Sequence, residues 1–295
     1  MIEQDEKIIT KQLPTALDER MGSPIISPYY QDERCTIYHG DCLEIMKSIA
    51  QHSVDLIVTS PPYDNLRKYN GYSWNFERIA TELCRIIKPG GVIVWIIGDS
   101  TINGSESLSS FKQVIYFVEN CGMNLHDTMI YKKNGPAYPS NDKYFQIFEY
   151  MFVISMGKPK TFNPINDRKN LWYAQKFSKT RSRRNKDGNV TVTKWDKEQG
   201  GEFGKRFNIW KYNVGAGYTT KDEIAYKHPA IFPEQLAKDH IISWSNERDI
   251  ILDPFCGSGT TLKMAKRLGR IAIGIDISRE YVEISKMRVA QCELF

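Results

Sequence analysis

Short runs of apolar, β-branched and aromatic residues alternate along this chain with stretches whose apolar positions recur every three or four residues. Runs of the first kind at Thr36 to His39, Val54 to Thr59, Val92 to Ile97, Met129 to Lys132 and Phe148 to Ile154 predict strands. Stretches of the second kind at Asp41 to Ala50, Ser73 to Ile87 and Ser110 to Asn120 predict helices, and Lys88-Pro89-Gly90-Gly91 predicts a stop and a turn into the next strand. The alternation resumes near the C-terminus. There Pro233 to Ser245, Thr260 to Leu268 and Arg279 to Gln291 read as helices, with strands at Ile250 to Leu252 and Ile271 to Ile275. Strands alternating with helices imply an α/β fold, a doubly wound and mostly parallel sheet wrapped on both faces.

Charge changes the picture between Lys158 and Lys227. That segment holds 17 basic residues against 7 acidic, an excess of +10, and since the whole chain carries +5 the remainder stands at −5. Its densest part places Lys176, Lys179, Arg181, Arg183, Arg184 and Lys186 among Phe177, Ser178, Thr180, Ser182 and Asn185, residue types that touch phosphates and bases. A solvated loop has the same look, and the run alone does not choose. The expected organisation is an N-terminal arm over 1–33, an α/β part over 34–160, a basic insert over 161–227 and a second α/β part over 228–295. No internal repeat is present.

Composition adds limits. With 295 residues, 41% hydrophobic and 12% aromatic, the chain can bury a real core, which excludes a collagen-like or globally disordered protein. No apolar run approaches bilayer length and the opening MIEQDEKIITKQLP lacks a signal-peptide stretch, so an intracellular, soluble, cytoplasmic protein is expected. Six cysteines at 35, 42, 84, 121, 256 and 292 show no Cys-x-x-Cys pattern. They read as reduced thiols, and no metal site is expected.

Two motifs carry candidate chemistry. Asp253-Pro254-Phe255-Cys256-Gly257-Ser258-Gly259-Thr260-Thr261 follows a strand and opens a helix. Gly257 and Gly259 permit a tight turn and close ligand approach, and the amides at a helix start favour an anionic group. A phosphate loop would need a Gly-Lys-Ser/Thr ending, and a dinucleotide fingerprint a third glycine where Leu262 stands. What remains is a nucleoside ligand with a carboxylate tail. The strand from Ile271 ends in Asp276, where an acidic residue can bind ribose hydroxyls or simply cap the next helix.

The second motif, Thr59-Ser60-Pro61-Pro62-Tyr63, ends a strand. Its prolines fix the backbone and lack amide hydrogens, so the Ser60 hydroxyl and the Pro61 carbonyl can act as acceptors beside the flat face of Tyr63. That suits a planar heterocycle with an exocyclic amine, although a Pro-Pro segment taken without its context reads first as a structural turn.

Together the two motifs resemble the S-adenosylmethionine-dependent DNA amino-methyltransferases, which modify cytosine N4 or adenine N6. The resemblance extends to His39-Gly40-Asp41-Cys42, Lys88-Pro89-Gly90-Gly91, Lys132, Pro136 and His228-Pro229-Ala230-Ile231-Phe232-Pro233-Glu234. The Ser-Pro-Pro-Tyr segment precedes the glycine-rich loop, which is the permuted order of the family's beta group, with the target-recognition region between the halves. The resemblance implies a Rossmann-like class I methyltransferase fold, circularly permuted. It also implies S-adenosylmethionine as cofactor and double-stranded DNA as partner, with or without a cognate restriction endonuclease.

By the same resemblance, Asp253, Phe255, Cys256, Gly257, Ser258, Gly259 and Thr260 belong to the loop around the methionine part of the cofactor. Asp276 would take the ribose, Asp41 the adenine side, and Phe232 and Pro233 would close the methionine pocket. Ser60, Pro61, Pro62 and Tyr63 would receive a flipped base. The serine in first position, in place of the commoner aspartate, leans toward cytosine N4, with adenine N6 as the alternative. An RNA or protein-glutamine methyltransferase would also be served by a Pro-Pro-Tyr pocket, and a DNA-binding protein with a dead pocket is a third class. The basic insert favours nucleic acid, and the intact motifs show no decay.

Overall fold

Apolar alternation and helical periodicity produce the predicted elements in nearly the predicted places. The computed structural model describes residues 26–62, 75–136, 143–171, 179–195 and 201–292, with backbone alone for 179–181 and 193–195. The chain divides into two compact units, one formed by Met1–Asn163 with Ile209–Phe295 and the other by Pro164–Asn208. Each has its own strand pairing.

The larger unit is built on a nine-stranded sheet. Its strands are β1 (Tyr30–Gln31), β2 (Cys35–His39), β3 (Val54–Thr59), β4 (Ile87–Ile97), β5 (Asn124–Lys132), β6 (Phe148–Ser155), β7 (Ile209–Lys211), β8 (Ile250–Asp253) and β9 (Ile271–Asp276). Their spatial order is β1-β2-β9-β8-β3-β4-β6-β5-β7. From β2 to β4 every pairing is parallel, as expected of strands joined by helices. β6 lies antiparallel to both β4 and β5, and β1 antiparallel to β2, so the sheet is mixed at its flanks.

Helices α1 (Cys42–Met46), α2 (Phe76–Ile86) and α3 (Ser109–Glu119) pack in sequence on one face. There Leu43, Met46, Ile79, Leu83, Trp95, Phe117 and Phe152 form the main apolar core. Helices α4 (Glu234–Trp244), α5 (Thr260–Arg267) and α6 (Arg279–Ala290) cover the other face, where His240 of α4 reaches Met151 of β6 at 3.2 Å. Among the described residues no helix is long and apolar enough to cross a membrane.

Three local differences from the sequence reading have physical causes. Lys88-Pro89-Gly90-Gly91 is no turn between elements but a bulge inside β4, where the pairing jumps from Val54↔Ile87 to Leu56↔Val92. Gly90 adopts φ +79° there, its amide donates to the Met156 carbonyl at 2.7 Å, and the Lys88 ammonium pairs with Asp55 at 2.6 Å. Helix α1 stops at Met46 rather than running to Ala50 because Arg85 takes the carbonyls of Met46 at 2.6 Å and Ile49 at 3.0 Å. The separate unit spans Pro164–Asn208, narrower than 161–227, since Ile209–Lys211 pairs with β5 in the main sheet.

Within the smaller unit, Arg168–Lys169 pairs with Phe203–Gly204, and Arg206 pairs with Asp167, the Nε bond being 2.9 Å. Lys179–Arg184 and Val190–Trp195 form an antiparallel ribbon. Its tip is closed by the Asn185 side chain, which accepts from the amides of Asp187 at 3.1 Å and Asn189 at 2.8 Å.

Candidate active site

β3 and β8 are neighbours in the sheet, in register at Leu56↔Ile251 and Ile57↔Leu252. Both therefore end at the same edge. From β8 the chain turns into α5 on one face, and from β3 it leads on to α2 on the opposite face. This is a topological switch point, where open α/β sheets form their ligand crevice. It brings Thr59-Ser60-Pro61 beside Asp253-Pro254-Phe255 although nearly two hundred residues separate them.

The two motifs are bonded to each other. Thr59 Oγ1 donates to Asp253 Oδ1 at 2.7 Å in a fully buried contact, and Thr261 Oγ1 donates to the Val58 carbonyl at 3.1 Å. The Phe255 amide also donates to Asp253 Oδ1, at 3.1 Å. Burial pushes the Asp253 carboxyl up to about 6, against the opposing pull of those hydrogen bonds. Asp253 thus faces into the protein and works as a brace between the motifs. Ser60 and Pro62 are half-buried and Pro61 is buried, whereas Tyr63 lies outside the described residues.

The glycine-rich loop holds two left-handed residues, Gly257 at φ +49° and Gly259 at φ +77°. A Cβ on Gly257 would stand 2.8 Å from His228 Nε2, and one on Gly259 would stand 2.8 Å from Ser285 Oγ. The loop is pinned from beneath. The Cys256 amide donates to the Ile275 carbonyl at 2.9 Å, and Ser285 Oγ donates to the Gly257 carbonyl at 2.7 Å. No side chain caps α5, whose first amides follow directly from Gly259.

Asp276, at the end of β9, accepts the Gly257 amide on Oδ2 at 2.9 Å and the Ser278 amide on Oδ1 at 2.9 Å. Ser278, and not Asp276, caps α6. The aspartate is therefore free of the capping role, and each of its oxygens keeps acceptor capacity for a hydroxyl. Burial raises its carboxyl above the ordinary range, with the Ser278 and Gly257 amides opposing. The Gly40 amide donates to the Asp276 carbonyl at 2.9 Å, which sets Asp41 on the adjacent strand end. Asp41 is exposed and caps α1, accepting the Leu43 amide at 2.8 Å.

Phe232 is half-buried, and the buried Pro233 opens α4. The His228 ring packs against Tyr281 with centroids 4.3 Å apart, and its Nδ1 accepts the Ala230 amide at 3.1 Å. Of the basic candidates, Arg183, Arg184 and Lys186 are exposed on the ribbon and its tip. Lys176 and the side chains of Lys179 and Arg181 lie outside the described residues.

Sequence reasoning placed Thr59 in the second motif without a role, and missed Ser285 and Arg288 as parts of this site. Arg288 left a readable signal: it falls with Val282, Ser285 and Val289 on the buried stripe of α6, a position where a charged residue needs a partner.

Comparison with known proteins supplies the family. The DNA methylase model for N6 and N4 methyltransferases matches residues 54–287. The chain belongs to this N6/N4 DNA methylase family. A relative from Bacillus amyloliquefaciens, the orphan methyltransferase M.BamHII, is 54% identical over 243 residues, covering 82% of this chain and 91% of its own. The Bacillus subtilis Type II methyltransferase M.BglII is 27% identical, covering 91% and 72%. Among solved structures, the cytosine-N4-specific PvuII DNA methyltransferase superposes with a TM-score of 0.65 at 20% identity over 88% of both chains. The S-adenosylmethionine complex of M1.HpyAVI does so with 0.56 at 27% identity, over 86% of this chain and 98% of that one.

This methylase therefore has the class I methyltransferase fold, and S-adenosylmethionine is its methyl donor. The residues at the switch point fit that molecule. Asp276 offers acceptors for ribose hydroxyls, the start of α5 offers uncapped amides for a carboxylate, and the two left-handed glycines let the loop between them lie close against His228 and Ser285.

Proposed function

We propose that this methylase transfers the methyl group to N4 of a cytosine flipped out of double-stranded DNA, within a short sequence recognised by the 161–227 region. The observation that carries this reading is the Thr59–Asp253 bond of 2.7 Å, which seats Ser60 and Pro61 beside the glycine-rich loop. S-adenosylmethionine supplies an electrophilic sulfonium methyl. The protein's task is then to present a weak nucleophile in line with it.

Ser60 Oγ and the Pro61 carbonyl accept hydrogen bonds from the two amine hydrogens, which leaves the nitrogen lone pair directed at the methyl carbon. Ser60 Oγ and the Pro61 carbonyl would hold the amine hydrogens while the nitrogen is methylated, and the proton the nitrogen then gives up would pass along these hydrogen bonds to solvent, since neither group is a base that keeps it. Tyr63 stacks on the flipped base. A serine in first position supports cytosine, by the family pattern. Asp276 takes the ribose, Asp41 stands on the adenine side, and Phe232 and Pro233 close over the methionine part.

Ser60→Ala should lower kcat by about 10- to 100-fold, the scale of one or two lost positioning contacts, with the affinity for S-adenosylmethionine held within about twofold. Mass spectrometry of nucleosides from DNA methylated by the wild-type protein decides the base. N4-methylcytosine is expected, and N6-methyladenine in its place would overturn the cytosine assignment while leaving the family intact.

The ribbon of the 164–208 unit is the proposed DNA contact. A free-standing two-stranded hairpin is marginal in water, and this one exposes Val190 and Val192 beside Arg183, Arg184 and Lys186. A polyanion that covers it would answer both features. Changing Arg183, Arg184 and Lys186 together to Ala should flatten the log–log salt dependence of DNA binding by up to about one unit per lost phosphate contact. An unchanged slope in filter-binding titrations would make these residues a solvated loop.

A further inference from the structure

Behind the glycine-rich loop lies a cluster of charges of which the sequence motifs name only Glu234. Arg288 of α6, only 1% exposed, donates from Nη1 to the Ser258 carbonyl at 2.6 Å and to Thr260 Oγ1 at 3.2 Å. Its Nε donates to Asp222 at 2.9 Å and its Nη2 to Glu234 at 2.7 Å. Lys263 of α5 bonds the same two carboxylates, each at 2.7 Å, and Thr220 donates to Glu234 at 2.7 Å. Two cations and two anions are thus closed in one hydrogen-bonded knot.

Stability alone is a poor explanation for such a knot. A buried ion pair loses several kcal/mol of hydration per ion, and well-packed apolar side chains of similar volume commonly do as well. Apolar side chains, however, could not hold a backbone carbonyl. Arg288 does so at Ser258, between the two left-handed glycines, while the Gly259 amide is held by the Cys256 carbonyl at 2.7 Å. The Ser258–Gly259 peptide is therefore fixed at both its oxygen and its nitrogen.

The other hand of the guanidinium holds Glu234, the residue directly after Phe232 and Pro233 at the start of α4. One side chain consequently sets the position of two walls, the Ser258 turn and the Phe232–Pro233 segment. Arg288 itself is sealed behind both.

We infer that Arg288 is a positioning residue for the amino-acid end of S-adenosylmethionine, holding the Ser258 turn and the Phe232–Pro233 wall at the spacing that this end requires. The inference rests on the proposed placement of the methionine part between those two segments. It assigns the knot Arg288, Asp222, Glu234 and Lys263 to cofactor selectivity, at one remove from the ligand.

Two ligands that differ only at that end test it. S-adenosylhomocysteine carries the amino-acid tail, and 5′-methylthioadenosine has the same ribose and adenine without it. Arg288→Lys keeps the charge but loses the forked geometry. It should weaken S-adenosylhomocysteine at least tenfold, raise KM for S-adenosylmethionine with kcat held within about threefold, and shift 5′-methylthioadenosine less than twofold. Glu234→Gln, a milder change, should show the same pattern with a several-fold loss and serves if the first variant does not fold. Equal weakening of both ligands would assign Arg288 a general structural role and overturn the inference, as would no weakening of either. Asp276→Ala separates the underlying placement, since loss of a ribose contact should weaken both ligands alike. If Asp276→Ala leaves both unchanged, the placement of the cofactor fails, not merely the role of Arg288.

Discussion

Gly259→Ala is expected to remove most cofactor binding while leaving a folded but weakened protein. At φ +77° an alanine is strained by roughly 1–2 kcal/mol. Its Cβ would also stand 2.8 Å from Ser285 Oγ and 3.0 Å from Ser285 Cα, and the latter is backbone of α6 that cannot rotate away. Opening that contact costs a further 1–3 kcal/mol or so. Because Ser285 also holds the Gly257 carbonyl, the displacement passes straight into the loop. We expect the affinity for S-adenosylmethionine to fall at least tenfold, which is about 1.4 kcal/mol.

Gly104→Ala is the matched control. Gly104 has nearly the same dihedral, φ +80°, with nothing within 4 Å of the added carbon. It should lose about 1 kcal/mol of stability from backbone strain and bind the cofactor as before. Calorimetry that finds equal affinities for the two glycine variants would show that the loop tolerates displacement.

What the sequence made readable was whatever local pattern decides. β3 runs Val54–Thr59 as its apolar run predicts, and α5 and α6 end within a residue or so of the positions that periodicity marks. The glycine-rich loop was readable for the same reason, since left-handed backbone and close packing both demand glycine at 257 and 259. Tertiary partners were not readable. Nothing near Ala50 announces that Arg85 will take the carbonyls that end α1, and nothing in Lys-Pro-Gly-Gly says that Met156 will fold it into a strand as a bulge.

The site divides along the same line. Asp276 was visible from its place at a strand end, but its release from helix capping depended on Ser278, which stands two residues away in a different role. Asp253 was visible as a motif residue, yet its direction was not. A motif names residue types, whereas the switch point decides that this carboxylate meets Thr59 from the other half of the chain. The two parts of the chain meet where β8 pairs with β3 and β9 with β2, and the Thr59–Asp253 and Thr261–Val58 bonds add side-chain fastenings at the end of the first of those pairs.

That brace carries a buried charge, which predicts an unusual dependence of stability on pH. The Asp253 carboxyl is pushed from 3.8 up to about 6 by burial. A raised carboxyl pKa means that the folded protein binds the proton more tightly than the unfolded chain does, so between roughly pH 4 and pH 6 stability falls as pH rises. Above that window the cost is constant, and a shift of about two units corresponds to roughly 3 kcal/mol as an upper figure. Asp253→Asn removes the charge. Its Oδ1 can still accept from Thr59 and Phe255, and its Nδ2 can donate to the Thr261 hydroxyl nearby, at some cost in desolvating the amide. The variant should therefore come closest to the wild type near pH 4 and gain on it by about 1–2 kcal/mol between pH 4.5 and pH 7.5, which is several degrees in Tm. Thermal melts of both proteins across that range check the sign. A Tm difference that stays the same from pH 4.5 to pH 7.5 would mean that the Asp253 charge is not what burial costs this fold.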